Sequence, residues 1–487
     1  MLLRDLFQQF DPTLNLMRLP DARVTAVTED SRRVVPGSIF VARAGTVTDG
    51  SRYIADAARR GAVVVVAGQT VAGARVPIIV VPDPAAATSI LAHKLAGNPS
   101  HSMNVIGVTG TNGKTTVTYL IRQILNHFEK KCGMIGTVEI DDGQKTFLSD
   151  MTTPAAVDVA AMLGRMRDHG CDACAMETSS HALCQGRVAA VRYSAAVFTN
   201  LTGDHLDYHG SMDDYAAAKS RLFSMLDQDG VAIVNADDAW SVRMLKDCKS
   251  VHPLRFGIRN RADYMARDLS FTAAGTQFVL DTPDGCTPVK TRLIGRHNVE
   301  NVLAAAAVCA ELFGLTVHQL ANVFQDLTGA PGRLQRVDAG QPFTVLVDYA
   351  HTDDALRNVL SALRPICRGK LHVLFGAGGD RDRTKRPRMA SVVAQFADTM
   401  IITSDNPRTE NPRAIIDEIL SGLPADRRES VTVEPDRRVA ISMILSQPGP
   451  SDVVLIAGKG HENYQILGIE RTHFDDCEEV RSLLQGS

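Results

Sequence analysis

Val105–Leu125 reads VIGVTGTNGKTTVTYLIRQIL: a β-branched run, a glycine-bearing turn ending in Lys-Thr-Thr, and a helical pattern, in that order. Val105 to Val108 predicts a short buried strand. Gly110 and Gly113 allow a sharp turn that brings backbone N–H groups toward an anion. From Thr115 the apolar positions Tyr119, Leu120, Ile124 and Leu125 follow helical spacing. A helix N-terminus carries unpaired N–H groups and about half a positive charge, so polyphosphate belongs there. Gly110, Thr111, Asn112, Gly113, Lys114, Thr115 and Thr116 therefore form the expected ATP-binding loop. In it Lys114 neutralises the β- and γ-phosphates and the Thr115 hydroxyl ligates Mg²⁺. The spacing is not the standard one, since Val108 stands where the first glycine of such loops falls. Motors, switches, kinases and ligases all use this device, so the loop indicates a ligand and not a reaction.

Working outward, the 487 residues are enough for about three domains. An apolar fraction of 45% suits globular cores, and 22% charged residues argues against disorder. The 52 Lys and Arg are balanced by 55 Asp and Glu, so no basic field points to nucleic acid. MLLRDLFQQFDP meets charge too early for a signal peptide, and no apolar run reaches the roughly 18 residues of a membrane span. Nine scattered cysteines read as reduced thiols of a cytoplasmic protein. Cys171 and Cys174 form a single CxxC with His181 nearby; inside strand-like ACAMETSS this reads as core packing rather than zinc.

The pattern predicts an α/β protein of three domains. Residues 1–100 form a small N-terminal α/β domain, with strand-like SIFVA, AVVVVAG and IIVV and a helix from about Ala85 to Leu95. GNPSHSMN reads as a linker. Residues 101–332 form a central, P-loop ATPase-like domain with a mostly parallel sheet, followed by antiparallel segments near SFTAAGTQFVLDT. Residues 333–487, starting near PGRLQRV, repeat strand and helix as a Rossmann-like, doubly wound domain without its own phosphate loop. Such sheets present ligands at the carboxyl ends of their strands. GTNGKT, ETSSH, TNLTGDHLDYH, DYAHTD, GAGGDRDR, SDNPR and AGKGHE all follow apolar runs and fall there. Glu177 and His205 are candidate ligands for a second cation near the γ-phosphate, against the plainer readings of a capping carboxylate and a turn histidine. Lys219, on a predicted helix, reads from composition alone as a solvated surface lysine.

GTNGKTT, METSSHAL, TNLTGDHLDYHG, AAAKSRLF, GRHNVENVLAAAA, PGRLQRV, VDYAHTDDAL, GAGGDRDRTKRP, DNPR and AGKGHE run collinearly over nearly the whole chain. Together they resemble the Mur ligases. The resemblance implies a monomeric, cytoplasmic, ATP- and Mg²⁺-dependent ligase of peptidoglycan precursor synthesis. Its domains would bind the UDP-precursor, ATP and an amino acid in turn. The reaction implied adds meso-diaminopimelate to UDP-N-acetylmuramoyl-L-alanyl-D-glutamate through an acyl phosphate.

By the same resemblance Lys219 matches a carbamylated lysine, and Glu177 and His205 match second-metal positions; with Lys114 these are the expected catalytic residues. Asn301 and Arg333 match nucleotide contacts, and Asp348 matches a C-terminal residue facing ATP. Ser31, Thr152, Thr153, Ser179, Gln185 and Arg187 match UDP-precursor positions. Thr46, Val47 and Thr48 are less polar than expected of a nucleotide-sugar loop, and Met151 stands where an Asn often precedes the two threonines.

Diaminopimelate differs from lysine by a second carboxylate, which makes its distal end a zwitterion. A site for it needs a fixed cation and an acceptor. Arg408 offers a bidentate fork, Arg381 another cation, and Asp405 and Glu462 acceptors. Asn406 can bond either group, Pro407 stiffens the turn, and Gly458 completes the expected set. Lysine would leave Arg408 without its anion, which can reject an analogue by about 10⁴-fold. In the family DNPR marks diaminopimelate-adding members. It argues, with the collinear N-terminal segment, against a lysine-adding ligase or a folylpolyglutamate synthase. A switch or motor would hydrolyse ATP without needing both co-substrates, a kinase would release a stable phosphorylated product, and the Lys114, Thr115, Glu177 and His205 set argues against a non-catalytic nucleotide-sugar binder.

Overall fold

The computed structural model describes residues 1–17, 19–45, 49–250, 252–428 and 430–486. The Thr46–Val47–Thr48 departure lies outside them. The chain divides into two compact units, Met1–Tyr264 with Leu303–Leu315, and Met265–Val302 with Thr316–Ser487.

The first unit opens with four parallel strands in chain order, Ala26–Thr28, Ser38–Ala42, Ala62–Ala67 and Ile78–Val80. SIFVA is buried at every position because both faces of this sheet are covered. Leu3, Phe7, Val41, Val64 and Leu91 fill one side, and Phe40, Ile54, Ala57 and Val65 the other. The helix Pro84–Leu95 begins where proline needs no N–H partner, capped by Asp83 on Ala86 N at 3.0 Å.

The phosphate-loop strand is Asn104–Thr109. It lies between the parallel strands Ala195–Phe198 and Ala173–Glu177, whose outer neighbours are Val231–Asn235 and Cys132–Ile135. Thr109 pairs with Phe198, and Val108 with Glu177, so three strands end together at one edge. GTNGKT, ETSSH and TNLTGDH therefore leave from the same place, as their sequences predict. Cys171 and Cys174 are buried thiols of this core, pushed up in pKa chiefly by burial. Beyond Cys132–Ile135 the short antiparallel strands Glu139–Asp141 and Thr146–Leu148 are additions that the sequence pattern does not reveal. Every residue of the last is exposed, which erases the apolar alternation.

The second unit contains the antiparallel strands Gly275–Thr282 and Gly285–Thr291, preceded by Tyr264–Thr272, and the helix Val317–Phe324. The sheet wholly within this unit runs Gln335–Val337, Thr344–Asp348, Val453–Ala457, Leu371–Phe375, Thr399–Ile402 and Thr432–Val433. All pairs but the first are parallel. Asp348 pairs with Ala457, and Phe375 with Ile402, which gathers DYAHTD, AGKGHE, GAGGDR and SDNPR at one carboxyl edge. The expected α/β class with mostly parallel sheets is the observed one. Among the described residues no helix is long and apolar enough to cross a membrane.

Candidate active site

In the first unit Gly110 and Gly113 take positive φ, 150° and 86°, and the helix starts at Lys114, one residue before the sequence pattern places it. A Cβ on Gly110 would overlap the Thr199 hydroxyl. The loop is tied to the next strand end. Thr111 N donates to Asn200 O at 2.8 Å, Asn112 N to Asn200 Oδ1 at 3.0 Å, and Thr199 Oγ1 to Asn112 O at 2.6 Å. Lys114 Nζ donates to the carbonyls of Gly110 and Thr111 at 2.9 and 2.8 Å.

Lys219, on the helix Met212–Ser224, is 1% exposed and donates to the same Gly110 carbonyl at 2.8 Å. The solvated reading of this lysine is thus corrected. The helix turns it inward, with Nζ 4.4 Å from the Tyr215 ring centroid. Burial first, then the Lys114 ammonium, holds its pKa well below the lysine range, and Asp204 opposes them.

Glu177 ends its strand fully buried. Its Oε2 accepts from Thr115 Oγ1 at 3.0 Å and Thr137 Oγ1 at 3.1 Å, and its Oε1 from Thr137 N at 2.7 Å. A Cβ on Gly136 would lie 2.6 Å from Oε1, so the glycine makes room for the carboxylate. Thr115 and Glu177 bring hard oxygen donors together, which suits Mg²⁺. His205 sits exposed at φ 54°, 3.5 Å from Asp204, with its ring 4.9 Å from His181, and no contact with Thr115 or Glu177 is seen among the described residues. Among the described residues no three His, Cys, Asp or Glu side chains form a metal-ready group.

The expected precursor residues largely cluster. Thr153 Oγ1 donates to Glu177 O at 2.8 Å and accepts from Ser179 N at 3.0 Å. Arg187 binds Thr153 O at 2.8 Å and Gln185 Oε1 at 2.6 and 3.0 Å. Thr152 lies 3.0 Å from Thr137 Oγ1. Ser31 stands apart from these contacts, in a short turn beside Asp56. Met151 is exposed, its carbonyl held by Ser149.

In the second unit Asp348 is buried and accepts from Leu334 N at 2.6 Å and Ala350 N at 2.7 Å. Burial raises its pKa against the pull of Arg333, whose guanidinium lies 4.7 Å from the Tyr349 ring centroid. Asn301 is buried and donates to Asn298 at 3.2 Å. The amino-acid cluster is interlocked. Asn406 Nδ2 donates to Glu462 Oε2 at 2.7 Å, and its Oδ1 accepts from Ile466 N at 3.0 Å. Arg408 takes a left-handed backbone, φ 53°, and donates from Nη1 to Gly379 O at 2.8 Å. No other hydrogen bond of its guanidinium is seen among the described residues. Asp405 is buried against Gly458 (φ 116°), and burial together with Asp405 raises the Glu462 pKa. Arg381 is exposed, bonded to Asp380 O at 3.1 Å.

Sequence reasoning missed three groups. Thr137 is the chief support of Glu177. Arg386, fully buried, grips Glu410 and Glu418 and so ties GAGGDRDR to the loop after DNPR. Lys459 is buried beneath Asn406 and Glu462. Only the invitation of a lysine inside the apolar-run-plus-turn AGKGHE hinted at the last.

Residues 108–309 match the Mur ligase middle domain, 332–460 the Mur ligase glutamate ligase domain, and 23–95 the Mur ligase family catalytic domain. The chain is 43% identical over 468 residues to the UDP-N-acetylmuramoyl-L-alanyl-D-glutamate–2,6-diaminopimelate ligase of Geobacillus kaustophilus, covering 95% of each. It is 44% identical over 475 residues to that of Synechococcus elongatus, covering 95% of this chain and 94% of the other. A solved ligase of that name superposes with a TM-score of 0.74 at 35% identity, over 99% of this chain and 98% of the other. A MurF ligase of Thermotoga maritima, solved with ADP, shares the fold at 18% identity and a TM-score of 0.62, over 96% and 97% of the two chains.

Proposed function

The chain belongs to the Mur ligase family, and on that premise we propose that it joins meso-2,6-diaminopimelate to UDP-N-acetylmuramoyl-L-alanyl-D-glutamate with cleavage of ATP. The observation that carries the choice of amino acid is the Asn406–Glu462 bond at 2.7 Å with the Arg408 guanidinium acting on Glu462. A fixed acceptor and a fixed cation side by side match a zwitterionic end, where lysine has only an ammonium.

A carboxylate acylates poorly because its oxygen is a bad leaving group. The D-glutamate γ-carboxylate oxygen attacks the γ-phosphorus, the bond to the β,γ-bridging oxygen breaks and ADP leaves, giving a C–O–P linkage whose phosphate is a good leaving group for the next step. The amine then attacks the carbonyl carbon, phosphate departs, and the amine loses a proton. Lys114 and the N–H groups at the start of its helix hold the charge that spreads over the transferring group. Mg²⁺, when bound, would neutralise phosphate charge; Thr115 would hold it, and Glu177 with His205 is the expected pair for a second cation. The Lys219 amine, made less basic by burial beside Lys114, suits carbamylation: its lone pair bonds the carbon of CO₂ and a proton leaves. That exchange turns a cation into an anion and removes the repulsion between the two lysines.

The domains expected at 1–100, 101–332 and 333–487 would then carry the precursor, ATP and amino-acid sites. The enzyme would act as a monomer in the cytoplasm. Phosphate release measured with the UDP-dipeptide and each amino acid in turn tests the reading. It requires turnover with meso-diaminopimelate and little with lysine. Turnover without the dipeptide, or equal rates with the two amino acids, contradicts it.

A further inference from the structure

Lys459 contacts no solvent, yet it is surrounded by the groups expected to bind the amino acid. Its Nζ donates to Tyr464 O, lies 3.4 Å from Asn406 Oδ1 and 3.8 Å from Glu462 Oε2. The turn that brings Glu462 back over it is closed by Glu462 N donating to Lys459 O at 2.9 Å. An ammonium only donates and a carboxylate only accepts, so this geometry settles the Asn406 amide. Oδ1 faces Lys459 and Ile466 N, and Nδ2 must face Glu462.

Asp405 and Glu462 both favour the Lys459 ammonium, against burial first and then Arg437, which is itself committed to Asp476 in a fully buried pair at 2.7 Å. Arg408, Arg437, Tyr464 and Tyr349 also act with Glu462, and Lys385 acts with Asp405. Two neighbouring carboxylates with little solvent resist ionising together. We infer that Lys459 is a positioning residue for the amino-acid end: it keeps Glu462 ionised and orients Asn406, whose amide N–H holds Glu462, so that the carboxylate accepts an ammonium. The direction of the Glu462 shift agrees, since burial and Asp405 raise it and Lys459 opposes them.

This rests on the proposed diaminopimelate reaction, and the wild-type amino-acid comparison tests that reading separately. The test here is KM for meso-diaminopimelate against pH, over a range of roughly 5 to 9 that covers the upward direction of the Glu462 shift, in wild type, Lys459→Gln and Lys459→Arg. Gln retains a donor for Tyr464 O and lacks the charge. In Lys459→Gln, Glu462 takes up a proton more readily, so KM rises about tenfold or more near neutrality and recovers as pH increases. KM for ATP stays within about twofold, and Lys459→Arg restores part of the flat wild-type profile. Adding Glu462→Gln to Lys459→Gln abolishes the pH dependence and leaves KM high.

A KM unchanged in Lys459→Gln overturns the inference. So does a rise that is equal at every pH, or a fall in kcat alone. Loss of the cooperative folding transition in both single variants also overturns it, because Lys459 would then serve stability and not the site.

Discussion

Replacing Thr137 by Val tests how strongly the phosphate site depends on a residue outside the loop. Valine keeps the shape and the N–H that donates to Glu177 Oε1 at 2.7 Å. It removes one of the two hydroxyls that Oε2 accepts, leaving Thr115 at 3.0 Å. Because a carboxylate only accepts, the Thr137 proton goes to Glu177, and Thr152 can donate to the Thr137 oxygen. Glu177 is fully buried, so water does not replace the lost donor. A hydrogen bond to a charged group contributes about 1.5–3 kcal/mol. If that loss falls wholly on phosphoryl transfer, kcat/KM drops roughly 10- to 150-fold. If it falls on the fold, the melting temperature drops instead, so both are measured, along with the Mg²⁺ concentration for half-maximal rate. Thr137→Ser should recover most of the loss. A Thr137→Val enzyme within twofold of wild type in rate, Mg²⁺ requirement and melting temperature would refute the role given to this hydroxyl, as would a Ser variant no better than Val.

Lys219→Met removes a buried amine that faces Lys114. Turnover should fall by about 10²- to 10³-fold with no loss of melting temperature, since Lys114 still satisfies Gly110 O. Phosphate release and thermal melts check this, and partial rescue by formate or acetate would support an anionic role. Arg408→Lys loses the two-pronged hold on a carboxylate, so KM for diaminopimelate should rise about 10- to 100-fold while KM for ATP is unchanged in steady-state kinetics. His93 is buried with neither ring nitrogen bonded among the described residues, and burial pushes its pKa down from 6.5 to about 4. The unfolded chain therefore takes up this proton first as pH falls. Stability is complete above about 6.5 and declines between 6.5 and 4, by about 3 kcal/mol in all. Urea midpoints at pH 7 and pH 5 should differ less in His93→Leu.

The clusters that follow apolar runs were legible because a parallel sheet sends every strand the same way, so GTNGKT and ETSSH had to share an edge. Lys219 was not legible from its helix. Its partner is Gly110, 109 residues away, and AAAKSRLF does not say which face turns inward. Thr137 and Lys459 were hidden for a related reason: each acts through another residue, and neither spacing nor charge marks such support. DNPR was readable as chemistry because the ligand demands a cation and an acceptor. Its fastening by Arg386 and Glu410 depends on a side chain buried in tertiary packing.

The strapping of Thr111 and Asn112 to Thr199 and Asn200 makes the shape of the phosphate loop a joint product of two strand ends. A substitution at Thr199 or Asn200, neither of which belongs to GTNGKT, would therefore be felt inside the loop itself.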